Sequence, residues 1–427
     1  MIRAIHASQR LDSRGKPTVQ VQLKTDHGSF QAIVPSGASK GDYEAVELRD
    51  GDAAAYGGNG VLKAVSNVEK IIAPALIDKN LNVTTDLDKI DHLMIELDGT
   101  DDKSRLGANA ILGVSMACAR AGAATKGVPL YEFIRQLSHT KKPYKMPVPF
   151  FNVLNGGVHS GNGMAFQEFM IAPIGASSMA DAVRMGAEVY QRLKEVVRTK
   201  YGSSAIGIGD EGGFAPPISR PTEALDLLVI AIEQCNYTNK VKIGIDPASQ
   251  EFLAKDMYNL GFKDPSSHGD ELSANELGSL YTELLAKYPI VLLEDPFGQD
   301  DWEAWENFCK TCRVELVGDD LLATNTKRIK HAEEHKACNA LLLKINQIGT
   351  ITESIEAYGW RVFVSHRSGE TTDDFIADLT VGLATGHLKS GSPCRGERVS
   401  KYNRLMDIED EIKAAGEEVI YAGKEFY

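Results

Sequence analysis

Short apolar runs in the second half of the chain repeatedly end on a charged or imidazole side chain. Val241-Lys242-Ile243-Gly244-Ile245 ends on Asp246, Ile290-Val291-Leu292-Leu293 on Glu294, and Val314-Glu315-Leu316-Val317-Gly318 on Asp319. The series continues with Leu341-Leu342-Leu343 into Lys344 and Val362-Phe363-Val364-Ser365 into His366, with Lys389 beyond. From Glu294 onward these ends fall about 25 residues apart, which is room for one strand, one helix and two short loops. Apolar runs of this length suit strands buried on both faces. Reactive side chains at the C-terminal ends of successive parallel strands are how a β/α barrel builds a site at its mouth.

The residue types point to acid, base, cation and anion chemistry together. Asp246, Glu294 and Asp319 form an all-oxygen set suited to a hard cation such as Mg²⁺, where the alternative is three carboxylates that cap the helices after their strands. Asp295 and Asp320 adjoin two of them and leave the inward-facing member open by one residue. Lys344, ending an apolar strand, is either a salt-bridge partner of one of these acids or a general base. A divalent cation nearby would disfavour its ammonium and lower its pKa toward neutrality. Lys389 offers a second cation. Past the next strand, Arg367 and Ser368 in Ser365-His366-Arg367-Ser368-Gly369-Glu370 can clamp a phosphate or carboxylate. Gly207-Ile208-Gly209-Asp210-Glu211-Gly212 has the spacing of a dinucleotide fingerprint. Two adjacent carboxylates would repel a pyrophosphate, however, and Gly213-Phe214-Ala215-Pro216-Pro217 does not open a helix. The glycines instead let Glu211 approach a ligand, and Glu168, read at mid-strand, is a second acid. Cys309 and Cys312 lack a second pair at zinc spacing, and His331 and His335 fit a solvated helix face.

The rest of the chain must position this mouth. Its 427 residues, 43% hydrophobic and 25% charged, are enough for one barrel of about 250 residues and a further domain. Residues 1–35 alternate apolar and polar positions around Thr25-Asp26-His27-Gly28, the pattern of an antiparallel meander. A small-residue loop, Pro35-Ser36-Gly37-Ala38-Ser39-Lys40-Gly41, follows, then helices from about Val61 to Leu76 and from about Ala108 to Thr125. The proline-punctuated Lys141-Lys142-Pro143-Tyr144-Lys145-Met146-Pro147 reads as the linker. This predicts an N-terminal α+β capping domain over residues 1–140 and a β/α barrel over residues 141–427. The first barrel strands, Pro149–Leu154 and Phe166–Ile171, are separated only by the glycine-rich Asn155–Gly163 loop. That is too short for a crossover helix, so these strands are expected to be antiparallel and the barrel irregular.

A net charge of −13 without a Lys/Arg cluster argues against nucleic-acid binding. No run of 18 apolar residues or secretory pattern is present, so the expectation is a cytoplasmic protein with no membrane partner and its six cysteines reduced.

These motifs resemble the enolase family over nearly the whole chain. The resemblance is carried by Leu11-Asp12-Ser13-Arg14-Gly15, Ser36-Gly37-Ala38-Ser39, Leu106-Gly107-Ala108-Asn109-Ala110-Ile111-Leu112-Gly113-Val114-Ser115 and Asn155-Gly156-Gly157-Val158-His159. It extends through Phe166-Gln167-Glu168-Phe169-Met170, Gly209-Asp210-Glu211-Gly212-Gly213-Phe214-Ala215-Pro216 and Ser365-His366-Arg367-Ser368-Gly369-Glu370. It implies an α/β fold with an enolase-type barrel and reversible dehydration of 2-phosphoglycerate to phosphoenolpyruvate with two Mg²⁺ ions. By this likeness Asp246, Glu294 and Asp319 hold the first ion, and Ser39 with the substrate phosphate holds the second. Lys344 is then the base and Glu211 the acid, assisted by Glu168. His159, His366 and Lys389 line the substrate, and Arg367 and Ser368 take its phosphate. The Ser36–Gly41 and Asn155–Gly163 loops become lids. Enolase-type sites with a Lys base and Mg²⁺ are a general worked case of pKa tuning.

Three departures from the family pattern stand out. Gln20 and Asp407 replace the acid and arginine that pair across the family's dimer interface, which predicts a weakened or rearranged homodimer. The segment between Lys344 and His366 is about six residues shorter than usual, leaving a helix of about nine residues around Thr350–Tyr358, with Arg361 where glycine is usual. Lys40 stands where the first lid usually has a small hydroxyl residue. Two competing readings are a diverged paralogue with another 2-hydroxy acid phosphate and a non-catalytic binding role.

Overall fold

The computed structural model describes residues 1–37, 41–264, 270–357 and 361–426. Strands β1 (Ile2–Leu11), β2 (Pro17–Thr25) and β3 (Gly28–Ile33) form an antiparallel meander in chain order. Along β2, Val19, Val21 and Leu23 are buried and alternate with more exposed neighbours, so one face of the sheet is apolar. The helix Ala108–Lys126, buried along most of its length, packs on that sheet. Gly113 permits the close approach, since a methyl group there would lie 2.7 Å from Val21 Cγ2. The helical stretch expected from Val61 forms as Leu62–Asn67 and Ala73–Lys79, joined through a π-helical turn at Val68–Ile72.

Eight further strands close into a barrel whose neighbours follow chain order. They are β4 (Val148–Asn155), β5 (Glu168–Ala172), β6 (Lys242–Asp246), β7 (Ile290–Glu294), β8 (Glu315–Gly318), β9 (Ala340–Leu343), β10 (Val362–Ser365) and β11 (His387–Lys389). The paired neighbours run parallel except at β5, which is antiparallel to both β4 and β6. The short glycine-rich connection after β4 dictates that reversal, because a parallel return would need a crossover helix. Glu168 is not at mid-strand as the sequence suggested: the ladder begins at Glu168, opposite Asn155 and Asp246, and Phe166 stays outside it. The reversed direction therefore delivers the first residue of β5 to the rim where the other strands deliver their last.

Phe150, Met170, Leu292, Val317, Leu342 and Phe363 fill the barrel interior, with Tyr421 and Phe426 packed against them. The segment expected to be a linker is itself paired, Tyr144–Met146 running parallel to Val419–Tyr421. The short return after Lys344 is divided. A turn at Ile345–Ile348 uses its first residues, and a helix of six, Ile351–Glu356, follows, capped by Thr350. The expected end of that helix at Tyr358 lies outside the described residues.

The meander and its helices dock on the barrel through named contacts. Thr352 N and Oγ1 donate to Asp91 Oδ2 at 3.0 and 2.7 Å, Lys103 pairs with Glu353 at 2.9 Å, and Arg120 with Asp373 at 2.7 Å. Ser36 and Gly369 exchange reciprocal backbone hydrogen bonds of 2.8 Å, which sets the start of the first small-residue loop against the mouth. Among the described residues no helix is long and apolar enough to cross a membrane.

Candidate active site

The rim gathers side chains from every side of the barrel. Glu168 opens β5, Asp246, Glu294 and Lys389 end β6, β7 and β11, and Asp319, Lys344 and His366 directly follow β8, β9 and β10. One cavity is lined by Lys344, Lys389, Glu168, Glu211, His159, His366, Arg367 and Ser368, together with Asp319. Ser39 and Lys40 lie outside the described residues.

Charge is paired within this cavity in a definite pattern. Lys389 Nζ is 2.7 Å from Glu294 Oε1, 3.3 Å from Glu168 Oε1 and 3.6 Å from Asp246 Oδ2. Lys344 pairs with Asp319. The expected metal trio is thus divided between two lysines, Asp246 and Glu294 facing Lys389 and Asp319 facing Lys344. Among the described residues, the groups whose ligand atoms converge within 4.8 Å are instead His159, Glu168 and Glu211, and Asp295, Asp319 and Asp320. Cys309 and Cys312 belong to neither. The neighbouring-acid question has a local answer at Asp295: its two oxygens accept the backbone N–H groups of Asp319 and Asp320 at 2.9 and 2.7 Å. Glu294 is the one that meets Lys389.

Glu211 is buried, with Asn152 Nδ2 donating to its Oε2 at 3.0 Å, His366 Nε2 3.3 Å from the same oxygen, and His159 Nδ1 3.8 Å from Oε1. Arg367 Nη1 and Nη2 reach Glu44 at 3.1 and 3.3 Å, and Nη1 also donates to Asn346.

Burial among like charges sets the ionisation. Burial and the Glu211 charge push Glu168 up to about 8 against the pull of Lys389, so this pair of acids retains a proton at neutral pH. Asp246 and Glu294 are raised chiefly by burial, with neighbouring carboxylates adding to it. Burial, the largest single influence, would lower Lys344, but the surrounding carboxylates, Asp319 foremost, together hold the ammonium above the ordinary lysine range. As a base, Lys344 must first be relieved of that partner.

The residues fit a divalent cation. Glu168, Glu211, Asp246, Glu294, Asp295 and Asp319 are all buried, and of these Glu168, Asp246, Glu294 and Asp295 are raised by that burial and would be returned to the charged form by a bound cation. Glu168 Oε2 and Glu294 Oε2 are buried without a hydrogen-bond partner. Carboxylate oxygens of this kind are hard ligands suited to Mg²⁺.

The sequence matches the description "Enolase, N-terminal domain" over residues 2–134 and "Enolase, C-terminal TIM barrel domain" over residues 143–427. The chain belongs to the enolase family. It is accordingly a lyase of the enolase superfamily, with acidic groups able to hold a metal.

Several residues of this enolase site were not singled out by sequence reasoning. Arg14 donates to Gly37 O at 2.8 Å and lies 3.4 Å from Ser368 Oγ, tying the start of the first small-residue loop to the loop after β10. It sits inside a quoted motif, but nothing in the motif states its target. Glu44 follows the small-residue loop and accepts from Gly41 N, Gln347 and Arg367, the last two contacts joining segments more than 300 residues apart. Arg398, on the helix Gly396–Ala414, is fully buried and reaches His366 and the carbonyls of Asp210, Arg367 and Ser368. An arginine in a highly charged helix carries no sequence signal of burial.

Proposed function

We propose that this enolase dehydrates 2-phosphoglycerate to phosphoenolpyruvate, reversibly, in the cytoplasm. The observation that carries the reading is topological. Lys344 follows β9 and Glu168 opens β5, four strands apart in an eight-stranded ring, so a base and an acid face each other across one cavity. A substrate between them can lose a carbon-bound proton on one face and a hydroxyl on the other.

Lys344 takes the proton beside the substrate carboxylate, and the electron pair left behind forms the double bond as the neighbouring C–O bond breaks. The Glu211 and Glu168 pair, which keeps a proton at neutral pH, delivers it to the departing hydroxyl, so that water leaves. Arg367 and Ser368, next to each other on the cavity wall, hold the phosphate, and His159 and His366 orient the leaving group through Glu211. Lys389 offers its ammonium to the substrate carboxylate. Asp246, Glu294 and Asp319 would hold Mg²⁺, with Ser39 serving a second ion. When bound, such cations would supply positive charge against the carboxylates around Lys344 and against the charge that grows on the substrate carboxylate. Arg14 and Glu44 fasten the lid to the clamp, which fits closure over a phosphorylated substrate.

The test is ultraviolet detection of phosphoenolpyruvate formed from 2-phosphoglycerate while Mg²⁺ is titrated, with Lys344→Ala as control. Metal-dependent product formation that the variant lacks is expected. No turnover at any Mg²⁺ level would reject the reaction, and unchanged turnover in the variant would reject Lys344 as the base.

A further inference from the structure

We propose that Arg398 is a positioning residue that holds His366 as the neutral tautomer with its proton on Nε2, the nitrogen on the Glu211 side of the ring. Arg398 Nη1 lies 2.6 Å from His366 Nδ1. A guanidinium has donors only, so Nδ1 must be the acceptor, and the single proton of a neutral imidazole then sits on Nε2. Nε2 is 3.3 Å from Glu211 Oε2 and makes no hydrogen bond in this geometry, so the proton it carries is turned toward that carboxylate without yet being received by it.

Arg398 cannot easily swing away. It donates to Arg367 O at 2.6 Å, Ser368 O at 2.7 Å and Asp210 O at 3.1 Å, and none of its surface is exposed. One side chain thus joins the loop that carries the anion clamp to the loop that carries Glu211. A second proton on His366 would set two N–H groups against each other across that 2.6 Å contact. The charged groups around His366 are Glu211 from the 207–215 loop, Arg398 from its helix, and Glu370 from the loop after β10, the last paired with Lys401. His159 and Lys389 act on Glu211 from its other sides. Burial, reinforced by the Arg398 charge and opposed by Glu211, pushes His366 down to about 4.

The consequence is an asymmetric carboxyl. Oε2 of Glu211 faces two nitrogens, Asn152 Nδ2 and His366 Nε2, which leaves Oε1 as the oxygen through which the proton held on Glu168 can pass. That last step rests on Glu211 acting as the acid of the proposed reaction, whereas the tautomer assignment does not.

The experiment is long-range proton–nitrogen correlation NMR of the full chain labelled with ¹⁵N-histidine, the His366 signal being identified by its loss in His366→Gln. Two well-separated ring-nitrogen shifts, with the proton on Nε2 and unchanged from pH 5.5 to 8, are expected. In Arg398→Met the two shifts should converge as pH falls through the ordinary histidine range. An Nδ1–H tautomer, or an imidazolium titrating above pH 6 in the wild type, would overturn the proposal, as would an unaltered His366 spectrum in Arg398→Met. The wild-type arm decides without a folded Arg398 variant. A chain with the Nε2–H spectrum but no turnover of 2-phosphoglycerate would sink the reaction and keep the tautomer; turnover with an Nδ1–H tautomer would do the reverse.

Discussion

Glu168 and Lys344 stand half a barrel apart, so the two halves of the proposed reaction separate by mutation. Because Glu168 is raised to about 8, the acid pair is protonated at neutral pH and loses its proton as the pH rises through that value. Dehydration is expected to slow on the alkaline side of about pH 8. Glu168→Gln should lose about 10²- to 10⁴-fold in kcat and lose that alkaline limb; a pH–rate profile with the limb intact in the variant would contradict the assignment. At this scale the sequence was informative wherever a residue ends an apolar run, as with Asp246, Glu294, Lys344 and His366. It was silent on Arg398 and Glu44, because their partners lie in distant segments and a buried charge leaves no mark on local periodicity.

The reversed strand β5 was legible as an element, since a glycine-rich loop cannot carry a parallel crossover. Its exact start was not, and this is why Glu168 seemed to lie mid-strand. The helix after Lys344 starts where its spacing suggested, with Thr350 as the cap, and ends at Glu356. The contact between the helix Ala108–Lys126 and β2 gives a prediction in which two effects compete. Gly113→Ala gains roughly 1 kcal/mol of helix propensity. The new methyl would sit 2.7 Å from Val21 Cγ2 and 3.3 Å from Val34 Cγ2, and valine side chains are stiff. Overpacking of this kind costs about 1–3 kcal/mol, so the variant should be the less stable, with a lower urea midpoint and an unchanged slope. A raised midpoint would show that the sheet gives way.

Across the whole molecule, the meander domain is fixed to the barrel partly by Asp91, which burial raises to about 6 from 3.8 despite the hydrogen bonds from Thr352. A carboxyl raised in the folded state favours folding below its unfolded pKa, and that contribution disappears as the pH climbs through about 6. Asp91→Asn keeps an oxygen for Thr352 and should flatten this dependence, gaining up to about 3 kcal/mol on wild type between pH 4 and 7. Parallel urea curves at the two pH values would refute it. Gln20 is half-buried on β2 and Asp407 is exposed on the helix Gly396–Ala414, so neither is committed within the chain. Sedimentation at nanomolar concentration is expected to show dissociation of the homodimer, and a tight dimer would contradict the weakened interface. The barrel, the meander and their order were readable from hydrophobic patterning. How the two domains dock was not, because Asp91, Lys103 and Arg120 look like ordinary surface charges in sequence. The central claim is that Lys344 removes a carbon-bound proton in this cavity. Nuclear magnetic resonance of 2-phosphoglycerate incubated in D₂O with Mg²⁺ and enzyme tests it most directly. Loss of the proton beside the carboxylate with wild type, and its retention with Lys344→Ala, is the predicted result; equal exchange by both proteins would contradict it.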